Sequence, residues 1–320
     1  MLARVIGLVL LAVPLPAHAT FSIVACEPET GICGVAVATH NLAVGASVPT
    51  LQAGVGAIVS QYETNPLYGP LALRLFAEQL STPEVLERML AQDGQFEGRG
   101  PEARQVGIVR ADGSVAIHTG KAALASGWAG QRSGSGYAVL GNGLDGERVL
   151  LAMEQAFQSS RAPFSRRLVD ALLAGQEAGG QTIGVLSAAV IVRTPDGWPR
   201  DIDLRVDAHD TPVHRLSALL DLHEARQVMI RAERLMRRGD TAAAWDAVAL
   251  ALHLGADWDR TWRRAARLAM TAGASERALD YLAVFMAHNP TWGLREIQDP
   301  LYAPLHGSPL FQRWLSAVAN

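Results

Sequence analysis

The sequence has no excess of basic residues and no long basic run, and this limits the partners that it can bind. Its 28 Lys and Arg residues stand against 31 Asp and Glu residues, which gives a formal net charge of -3. Proteins that bind nucleic acids usually carry a clustered positive surface. We therefore expect no nucleic-acid partner, whereas small-molecule and protein partners fit the composition.

Cysteine is equally scarce, because the chain has only Cys26 and Cys33. No histidine or further cysteine stands near them at the spacing of a metal site, so neither a metal nor another cofactor is expected. The two flank EPETGI, residues 27–32, which has the composition of a hairpin turn. Opposed positions on paired strands can meet disulfide geometry. A disulfide is therefore predicted, with two free buried thiols as the alternative.

Long apolar runs are missing after the first nineteen residues. Arg4 precedes the apolar run VIGLVLLAVPLP, and Ala17-His18-Ala19 then places small residues at the two positions that a signal peptidase reads. The run is shorter than the roughly 20 residues of a membrane span and contains two prolines. Residues 1–19 are therefore predicted to be a cleaved signal peptide of a periplasmic or secreted protein without a membrane span. A membrane anchor is the alternative.

Strand and helix patterns follow one another in blocks. The predicted strands cover 20–26, 33–39, 54–60, a hairpin over 104–120 turning at Asp112-Gly113, and the segments 184–194 and 201–208. The predicted helices cover about 69–80, a segment capped at Ser81 or Thr82, 146–159 and 164–177. GQRSGSGYAVLGNG, residues 130–143, lacks the lysine of a phosphate loop and is predicted to be a flexible loop. Blocks of this kind favour an α+β fold, a four-layer αββα sandwich.

After about residue 212 the strand patterns disappear and a repeat begins. Four residues recur at an offset of 34 positions: Gly239, Ala244, Asp246 and Trp258 return as Gly273, Ala278, Asp280 and Trp292. This is the period of a tetratricopeptide helix pair, and residues 215–320 resemble such a helical-repeat domain. A partner-binding groove is one interpretation of it. The alternatives are a helical cap that supports the first domain and an ordinary helical bundle.

Cleavage after Ala19 would make Thr20 the first residue of the mature chain. A threonine hydroxyl alone is a weak nucleophile, but the residue's own free α-amine can act as its base. That amine has a pKa of about 7.7 to 8.0, so it is partly neutral near neutral pH. Thr20 is therefore a candidate nucleophile. The alternative is that a threonine follows the cut by chance.

The residues after Thr20 carry a family resemblance. The segment 20–70, TFSIVACEPETGICGVAVATHNLAVGASVPTLQAGVGAIVSQYETNPLYGP, is followed in order by RQVGIVRADGSVAIHTG, GYAVLGNGL, RRLVDALLAGQEAGG and SAAVIV. Together these resemble the domain of unknown function 1028 (DUF1028), a family that looks like the N-terminal nucleophile (Ntn) hydrolases. The resemblance implies a four-layer αββα domain over 20–210 and a hydrolase site for amide bonds around Thr20. The substrate would be a small molecule or a peptide.

Supporting residues are proposed for this site. Gln61, at the end of a strand, is a candidate oxyanion donor. His40 and Asn41 end the second strand, where they can lie beside Thr20. His118 and Thr119 end another strand and can also approach the site. Asn142 is predicted to be a turn residue.

The charged groups of the family pattern are partly missing. Gln181 and Ile183 stand where that pattern usually has an acidic residue and an arginine. The lone lysine, Lys121, lies in a loop that the sequence does not place at the site. Arg104 is therefore a candidate source of positive charge. The alternative function is a catalytically degenerate binding protein that uses its helical tail for partners, and relatives of this fold often pair into homo-oligomers through helices.

Overall fold

The structure is a computed structural model that describes residues 19–318. The described chain divides into two compact units, which meet between Ser217 and Ala218. The predicted signal peptide covers residues 1–19, of which all but Ala19 lie outside the described residues. The prediction of a mixed α/β part followed by a helical C-terminal region is confirmed. Within residues 19–318, no helix is both long and apolar enough to cross a membrane.

The described strands of the first unit form two antiparallel sheets. They are β1 (Thr20–Glu27), β2 (Ile32–Thr39), β3 (Pro49–Gln52), β4 (Gly56–Tyr62), β5 (Arg104–Arg110), β6 (Val115–Thr119), β7 (Trp128–Gly134), β8 (Tyr137–Leu144), β9 (Ser187–Arg193) and β10 (Ile202–Val206). One sheet has the order β10-β9-β2-β1-β8-β7, and the other has the order β3-β4-β5-β6. The strand β1 therefore lies in the centre of the larger sheet.

The described part of the first unit contains six complete helices, and two pairs of them cover the outer faces of the sheets. The six helices are α1 (Val44–Ser47), α2 (Tyr68–Ala77), α3 (Thr82–Ala91), α4 (Lys121–Leu124), α5 (Glu147–Ser159) and α6 (Phe164–Glu177), with 3₁₀ turns at Phe96–Gly98 and Pro101–Ala103. The pair α2 and α3 packs on the smaller sheet, and the pair α5 and α6 packs on the larger one. The inner faces of the two sheets pack on each other. The layers follow in the order helix, sheet, sheet, helix.

Local sequence signals explain where several elements begin and turn. The backbone N–H of Ser81 donates to the carboxylate of Glu84, which forms a capping box at the start of α3. The turn between β5 and β6 contains Gly113 at φ 85°, a conformation that favours glycine. The side chain of Asp112 accepts a hydrogen bond from the N–H of Ser114 across this turn at 2.9 Å. The hairpin predicted at Asp112-Gly113 is thus confirmed.

Alternate residues of β1 point to opposite faces of the larger sheet. Phe21 lies on the side of α6, whereas Ser22 and Val24 point between the two sheets. At the far end of β1 the space between the sheets is apolar and includes the pair Cys26 and Cys33. These two lie opposite each other in β1 and β2, with an S–S distance of 2.05 Å, so the predicted disulfide is confirmed.

The predicted flexible loop over residues 130–143 is wrong. It forms the hairpin of β7 and β8, which turns at Ser135-Gly136, with Gly136 at φ 78°. Strand β8 is fully buried between β1 and β7, whereas β7 is an edge strand with polar side chains. Because tertiary pairing decides strand formation more than composition does, a glycine- and serine-rich segment becomes a strand here.

The second unit is helical. It contains most of α7 (Pro212–Arg237), then α8 (Thr241–Leu254), α9 (Asp259–Thr271), α10 (Ser275–His288), α11 (Pro290–Glu296), a 3₁₀ segment at Pro300–Leu305 and α12 (Pro309–Val318). Helices α8 and α10 begin 34 residues apart. Each is preceded by a glycine in the left-handed region, Gly239 at φ 81° and Gly273 at φ 70°. The sequence repeat therefore coincides with two equivalent helix junctions.

Candidate active site

Thr20 opens the central strand β1 and is only 3% exposed. It lies opposite Thr39 of β2 on one side and opposite Asn142 of β8 on the other. Its side chain points between the two sheets, because Ser22, two residues later, donates its hydroxyl proton to Gln61 of the other sheet at 2.7 Å. The predicted nucleophile therefore faces the polar end of the space between the sheets.

The direction of the hydrogen bond between Thr20 and Thr39 follows from counting protons. The Thr39 hydroxyl donates to the carbonyl oxygen of Ala19 at 2.7 Å. A hydroxyl has a single proton, so in the 3.1 Å contact between the two Oγ1 atoms Thr20 is the donor and Thr39 the acceptor. The backbone N–H of Asn41 also donates to Thr39 at 3.3 Å. Thr39 thus holds the Thr20 hydroxyl in one orientation.

A network of buried amides surrounds this position. Gln61 donates from Nε2 to Oε1 of Gln105 at 2.8 Å, and Asn142 donates from Nδ2 to the same oxygen at 2.9 Å. Gln61 also reaches the carbonyl oxygen of Thr20 at 3.4 Å. Its amide protons are therefore used within the protein. Gln61 positions Thr20 from the opposite sheet, and its side chain is not the free oxyanion donor that the sequence suggested.

Two amide side chains beside Thr20 have buried polar atoms without a hydrogen-bond partner in the described part of the chain. They are Oδ1 of Asn142 and both Oε1 and Nε2 of Gln181. Buried polar groups are nearly always paired, and an exception calls for a bound group or water. The prediction of Asn142 as a turn residue is wrong, because it lies within β8. These unpaired atoms mark where a further group can bind near Thr20.

The position of Gln181 follows from the strand pairing. The pairing of β1 with β8 begins with Thr20 opposite Asn142. Two residues further along β8, Leu144 pairs with Trp128 of β7 on one side and forms an isolated bridge with Gln181 on the other. That second side is the one on which β1 lies. Gln181 therefore occupies the position in line with β1, just beyond its first residue.

His40 and Asn41 lie at the rim of this site. They directly follow Thr39, the residue opposite Thr20, and both are exposed. The carbonyl oxygen of Asn41 accepts a hydrogen bond from Ser187 of β9 at 2.6 Å. The backbone at the end of β2 is therefore fixed, and the two side chains border the site instead of lining its interior.

Arg104 faces away from Thr20. Its neighbour Gln105 points between the sheets, so Arg104 points to the side of α2 and α3. There its guanidinium, which is 1% exposed, pairs with the buried Asp93 at 2.9 Å and donates to the carbonyl oxygen of Glu63 at 2.9 Å. This charge is already neutralised, so Arg104 does not supply positive charge at the site.

The pKa of Asp93 is held below its usual value. Burial alone would raise this pKa, but hydrogen bonds from Arg104, Tyr68 and Asn65 outweigh it. The same contacts act on the phenol, because burial and the hydrogen bond to Asp93 raise the pKa of Tyr68. Asn65 bonds to Asp93 through Nδ2 at 3.1 Å. This ionised cluster is structural and supports the smaller sheet from its helix side.

The remaining residues considered from sequence lie elsewhere or at the edge. His118 pairs through Nε2 with the carbonyl oxygen of Pro101 at 2.8 Å. Thr119 joins the amide network by donating to Gln131 and accepting from Gln105. Ile183 is 39% exposed. Within residues 19–318, no cluster of three His, Cys, Asp or Glu side chains could hold a metal.

The contacts of Thr39, Gln105 and Asn142 at this site were not predicted from the sequence. Only their positions in the paired strands connect them with the site, because each faces the space between the sheets at the level of Thr20. Finding them from sequence would require the register of strands that are up to about 120 residues apart, together with recognition of β8. The arrangement places neutral polar side chains around a buried threonine hydroxyl.

Comparisons with known proteins agree with the resemblance seen in the sequence. The model of a family of unknown function, DUF1028, matches residues 20–216. A Silicibacter pomeroyi protein of the same family, known from a crystal structure, is similar at 33% identity and a TM-score of 0.56, over 63% of this chain and 84% of that one. No functionally curated protein matches the chain. The chain belongs to the family of unknown function DUF1028.

Proposed function

We propose that this protein is an exported hydrolase of amide bonds, with the Thr20 hydroxyl as nucleophile and the Thr20 α-amine as base. The observation that carries the proposal is the position of Thr20: it opens the central strand, is buried, and has its hydroxyl 3.1 Å from that of Thr39. The proposal requires cleavage between Ala19 and Thr20. The disulfide between Cys26 and Cys33 supports export, because such bonds form in oxidising compartments.

The architecture supports a more specific fold assignment within the same proposal. The order helix, sheet, sheet, helix, with the nucleophile at the head of a central strand, is that of an Ntn-hydrolase-like domain over residues 20–210. The equal spacing of α8 and α10 supports a tetratricopeptide-like domain over residues 215–320. The two parts would then serve chemistry and partner binding separately.

The proposed reaction proceeds in two stages. Thr20 Oγ1 attacks the carbonyl carbon of the substrate amide, and the α-amine takes the hydroxyl proton. The resulting ammonium gives a proton to the departing amine as the C–N bond breaks, which leaves an ester on Thr20. Water then attacks the ester carbonyl and gives a proton to the α-amine. The ammonium returns that proton to Thr20 Oγ1 as its bond to the carbonyl carbon breaks, which releases the carboxylic acid and restores Thr20.

Cleavage would change the hydrogen bonding around Thr20. Removal of Ala19 takes away the acceptor of the Thr39 hydroxyl proton. The Thr39 hydroxyl can then rotate toward the new amine. Oδ1 of Asn142, which is unpaired within the described residues and belongs to the residue opposite Thr20, can accept a hydrogen bond from that amine. Nε2 of Gln181 remains as a neutral donor for the substrate or for the oxyanion.

The uncharged side chain of Gln181 is compatible with the Thr20 α-amine acting as a base. A carboxylate within about 4–6 Å would favour the protonated amine and raise its pKa. With Gln181 in that place, the amine keeps a pKa closer to the ordinary value of about 7.7 to 8.0. A substantial fraction is then neutral and able to accept the hydroxyl proton.

The second candidate function is a binding protein that has lost catalysis. It is favoured by the state of Gln61, whose amide protons are already used, and by the distance of Arg104 from the site. Such a protein would hold its ligand through the unpaired amides of Asn142 and Gln181 without forming an ester. Its helical tail would then bind the partner.

The test compares the protein that begins at Thr20 with a version that carries one additional alanine ahead of it. Each is treated with a threonine-reactive electrophile and with a panel of amide substrates, and the adduct is located by intact mass and peptide mass spectrometry. We expect labelling at Thr20 only when its amine is free. Thr20→Ser should keep some activity, and Thr20→Ala should lose nearly all of it. Equal hydrolysis by both versions contradicts the mechanism, and the absence of labelling in both favours the binding protein.

A further inference from the structure

Two neighbouring cavities on the helical unit share a wall of arginine side chains. The larger has a volume of about 750 Å³ and the smaller about 290 Å³, and Arg264 lines both. Their walls come from α7 and α9. We call them together the arginine groove, defined by the six guanidinium groups that line it: Arg226, Arg237, Arg260, Arg263, Arg264 and Arg267.

The arginines of α9 lie on one face of that helix. They occupy positions 260, 263, 264 and 267, the spacing of neighbours on a helix surface. On α7, Arg226 and Arg237 are eleven residues apart, which corresponds to about 16 Å along the helix axis. The groove is therefore long enough for about five residues of an extended chain.

Three of these arginines are held by carboxylates of the same unit. Arg264 donates to Glu233 at 2.6 Å, and Arg263 and Arg267 each donate to the buried Glu296 at 2.6 Å. Glu296 is only 3% exposed. These pairs fix the walls and leave little net charge of their own.

The other three guanidinium groups remain available. Arg226, Arg237 and Arg260 are exposed, and no ion pair is found for them within the described residues. Arg260 lies over the ring of Trp292 at 5.5 Å, a contact that leaves its N–H groups able to donate. They stand along both walls of the groove, so its rim carries an excess of positive charge. A ligand that brings carboxylates to this rim would gain charge-assisted hydrogen bonds.

Apolar side chains lie between the cations. Met236 of α7 is half-buried and lines the groove, whereas Met229 of α7 and Leu268 of α9 are buried and form its floor. Methionine is unbranched and adapts to different apolar surfaces, which suits a site for side chains of a partner. The groove thus offers alternating apolar and cationic contacts, in contrast to the uniform cationic surface that binds a polyanion.

The charge of the whole helical unit also favours a short acidic ligand over a polyanion. Residues 218–320 contain 12 Arg and no Lys against 11 Asp and Glu, so the unit is nearly neutral. Half of its arginines line this groove. A nearly neutral unit lacks the broad positive field that attracts nucleic acid. The local charge is therefore suited to a short acidic ligand.

We infer that the arginine groove between α7 and α9 binds an acidic peptide segment with interspersed apolar side chains, belonging to a partner protein. Carboxylates of the segment pair with Arg226, Arg237 and Arg260, and its apolar side chains contact Met236. This inference specifies the chemistry of the partner that the helical tail is proposed to bind. It does not depend on the chemistry of Thr20, so its test is separate from the labelling test.

The test uses the full-length protein and a fluorescein-labelled ten-residue peptide of alternating glutamate and leucine. Fluorescence anisotropy measures its Kd, with a glutamine–leucine peptide as the uncharged control. We expect at least tenfold tighter binding of the glutamate peptide, and weaker binding in 500 mM than in 50 mM NaCl because salt screens exposed pairs.

Two variants with equal loss of charge locate the site. The groove variant combines Arg226→Gln, Arg237→Gln and Arg260→Gln, and the control variant combines Arg231→Gln, Arg234→Gln and Arg238→Gln, exposed positions in or next to the last turns of α7 that line neither cavity. We expect the groove variant to bind at least tenfold more weakly and the control less than twofold. Circular dichroism and Tm confirm that both variants fold.

Charge reversal gives an independent outcome. Arg226→Glu, Arg237→Glu and Arg260→Glu together should bind a lysine–leucine peptide more tightly than the glutamate–leucine peptide. Equal losses in the groove and control variants overturn the inference. So do a Kd above 1 mM for the glutamate peptide, or tighter binding of a short RNA or of vesicles of anionic lipid than of the peptide.

Discussion

Thr39 accepts the hydroxyl proton of Thr20 across 3.1 Å, while giving its own proton to the carbonyl oxygen of Ala19. The nucleophile and its neighbour are therefore linked in one direction. This arrangement leaves the lone pairs of the Thr20 oxygen directed away from Thr39. It makes the hydroxyl of Thr39 a positioning group whose removal should affect Thr20 chemistry more than stability.

Thr39→Val tests this link, because valine has a similar shape without the hydroxyl. In the protein that begins at Thr20, we expect labelling of Thr20 by the electrophile to slow about tenfold. The free energy of unfolding should fall by about 1 kcal/mol, the usual contribution of one hydrogen bond. Thr119→Val is the matched control, since it removes a hydroxyl from the same amide network without contact to Thr20. Equal slowing in both variants would contradict a specific role for Thr39.

Gln181→Glu should shift the pKa of the Thr20 amine upward. A carboxylate in line with β1 favours the charged form of the amine, so less of it is neutral at a given pH. The rising limb of the pH profile for Thr20 labelling should therefore move to higher pH, by about one unit. The amine pKa can be measured directly from the pH dependence of its acylation. Gln52→Glu, at an exposed position of β3, should leave both profiles unchanged.

Arg104→Gln should destabilise the first unit by about 3 to 5 kcal/mol, because it leaves the buried Asp93 without its partner. Labelling of Thr20 per folded molecule should stay the same, since Arg104 lies on the other face of its sheet. Denaturant unfolding and the electrophile assay measure the two effects. Arg110→Gln, at the half-buried end of β5 where the partner Asp112 is exposed, should change stability by less than about 1 kcal/mol. If folded Arg104→Gln protein lost the labelling of Thr20, Arg104 would contribute to the site and this prediction would be wrong.

The lowered pKa of Asp93 gives a prediction for acid stability. Its pKa is lower in the folded than in the unfolded chain, where the usual value is about 3.9. The stabilisation is therefore fully present above that value and is lost as the pH falls through the lower folded pKa. Asp93→Asn should be less stable at pH 7 and should lose less stability between about pH 5 and pH 2. Urea unfolding at a series of pH values measures this, and parallel curves would contradict it.

Removal of the disulfide should weaken the fold without altering the Thr20 end of the strand. The double variant Cys26→Ala and Cys33→Ala opens a short loop, which should cost about 2 kcal/mol. Cys26 and Thr20 lie towards opposite ends of β1, so the labelling rate of Thr20 should change less than twofold. Thiol titration of the denatured, unreduced parent protein should find no free thiol. Two free thiols would show that the bond does not form in the protein as produced.

The sequence predicted the strands with the clearest apolar pattern, and it missed those whose formation depends on pairing. Strand β1 reads directly from TFSIVAC, whereas the partner strand β8 begins within a glycine- and serine-rich segment. The disulfide could be predicted from the sequence because Cys26 and Cys33 are close in the chain. The contacts that join Gln61 to Gln105 and Gln105 to Asn142 span 44 and 37 positions, so only the sheet register reveals them. The face on which Arg104 lies follows from the same register.

The burial of the junction before Thr20 sets an order of events. In the folded chain Ala19 is 1% exposed and Thr20 is 3% exposed, and Gln181 occupies the path in line with β1. A peptidase needs an accessible, extended stretch on both sides of the bond that it cuts. If Thr20 is the nucleophile, the cut must therefore come before the sheet closes, or the sheet must open again to allow it. Protein that folds first is then kinetically trapped as an inactive precursor, so the timing of cleavage during export would decide how much of the protein ever becomes an enzyme.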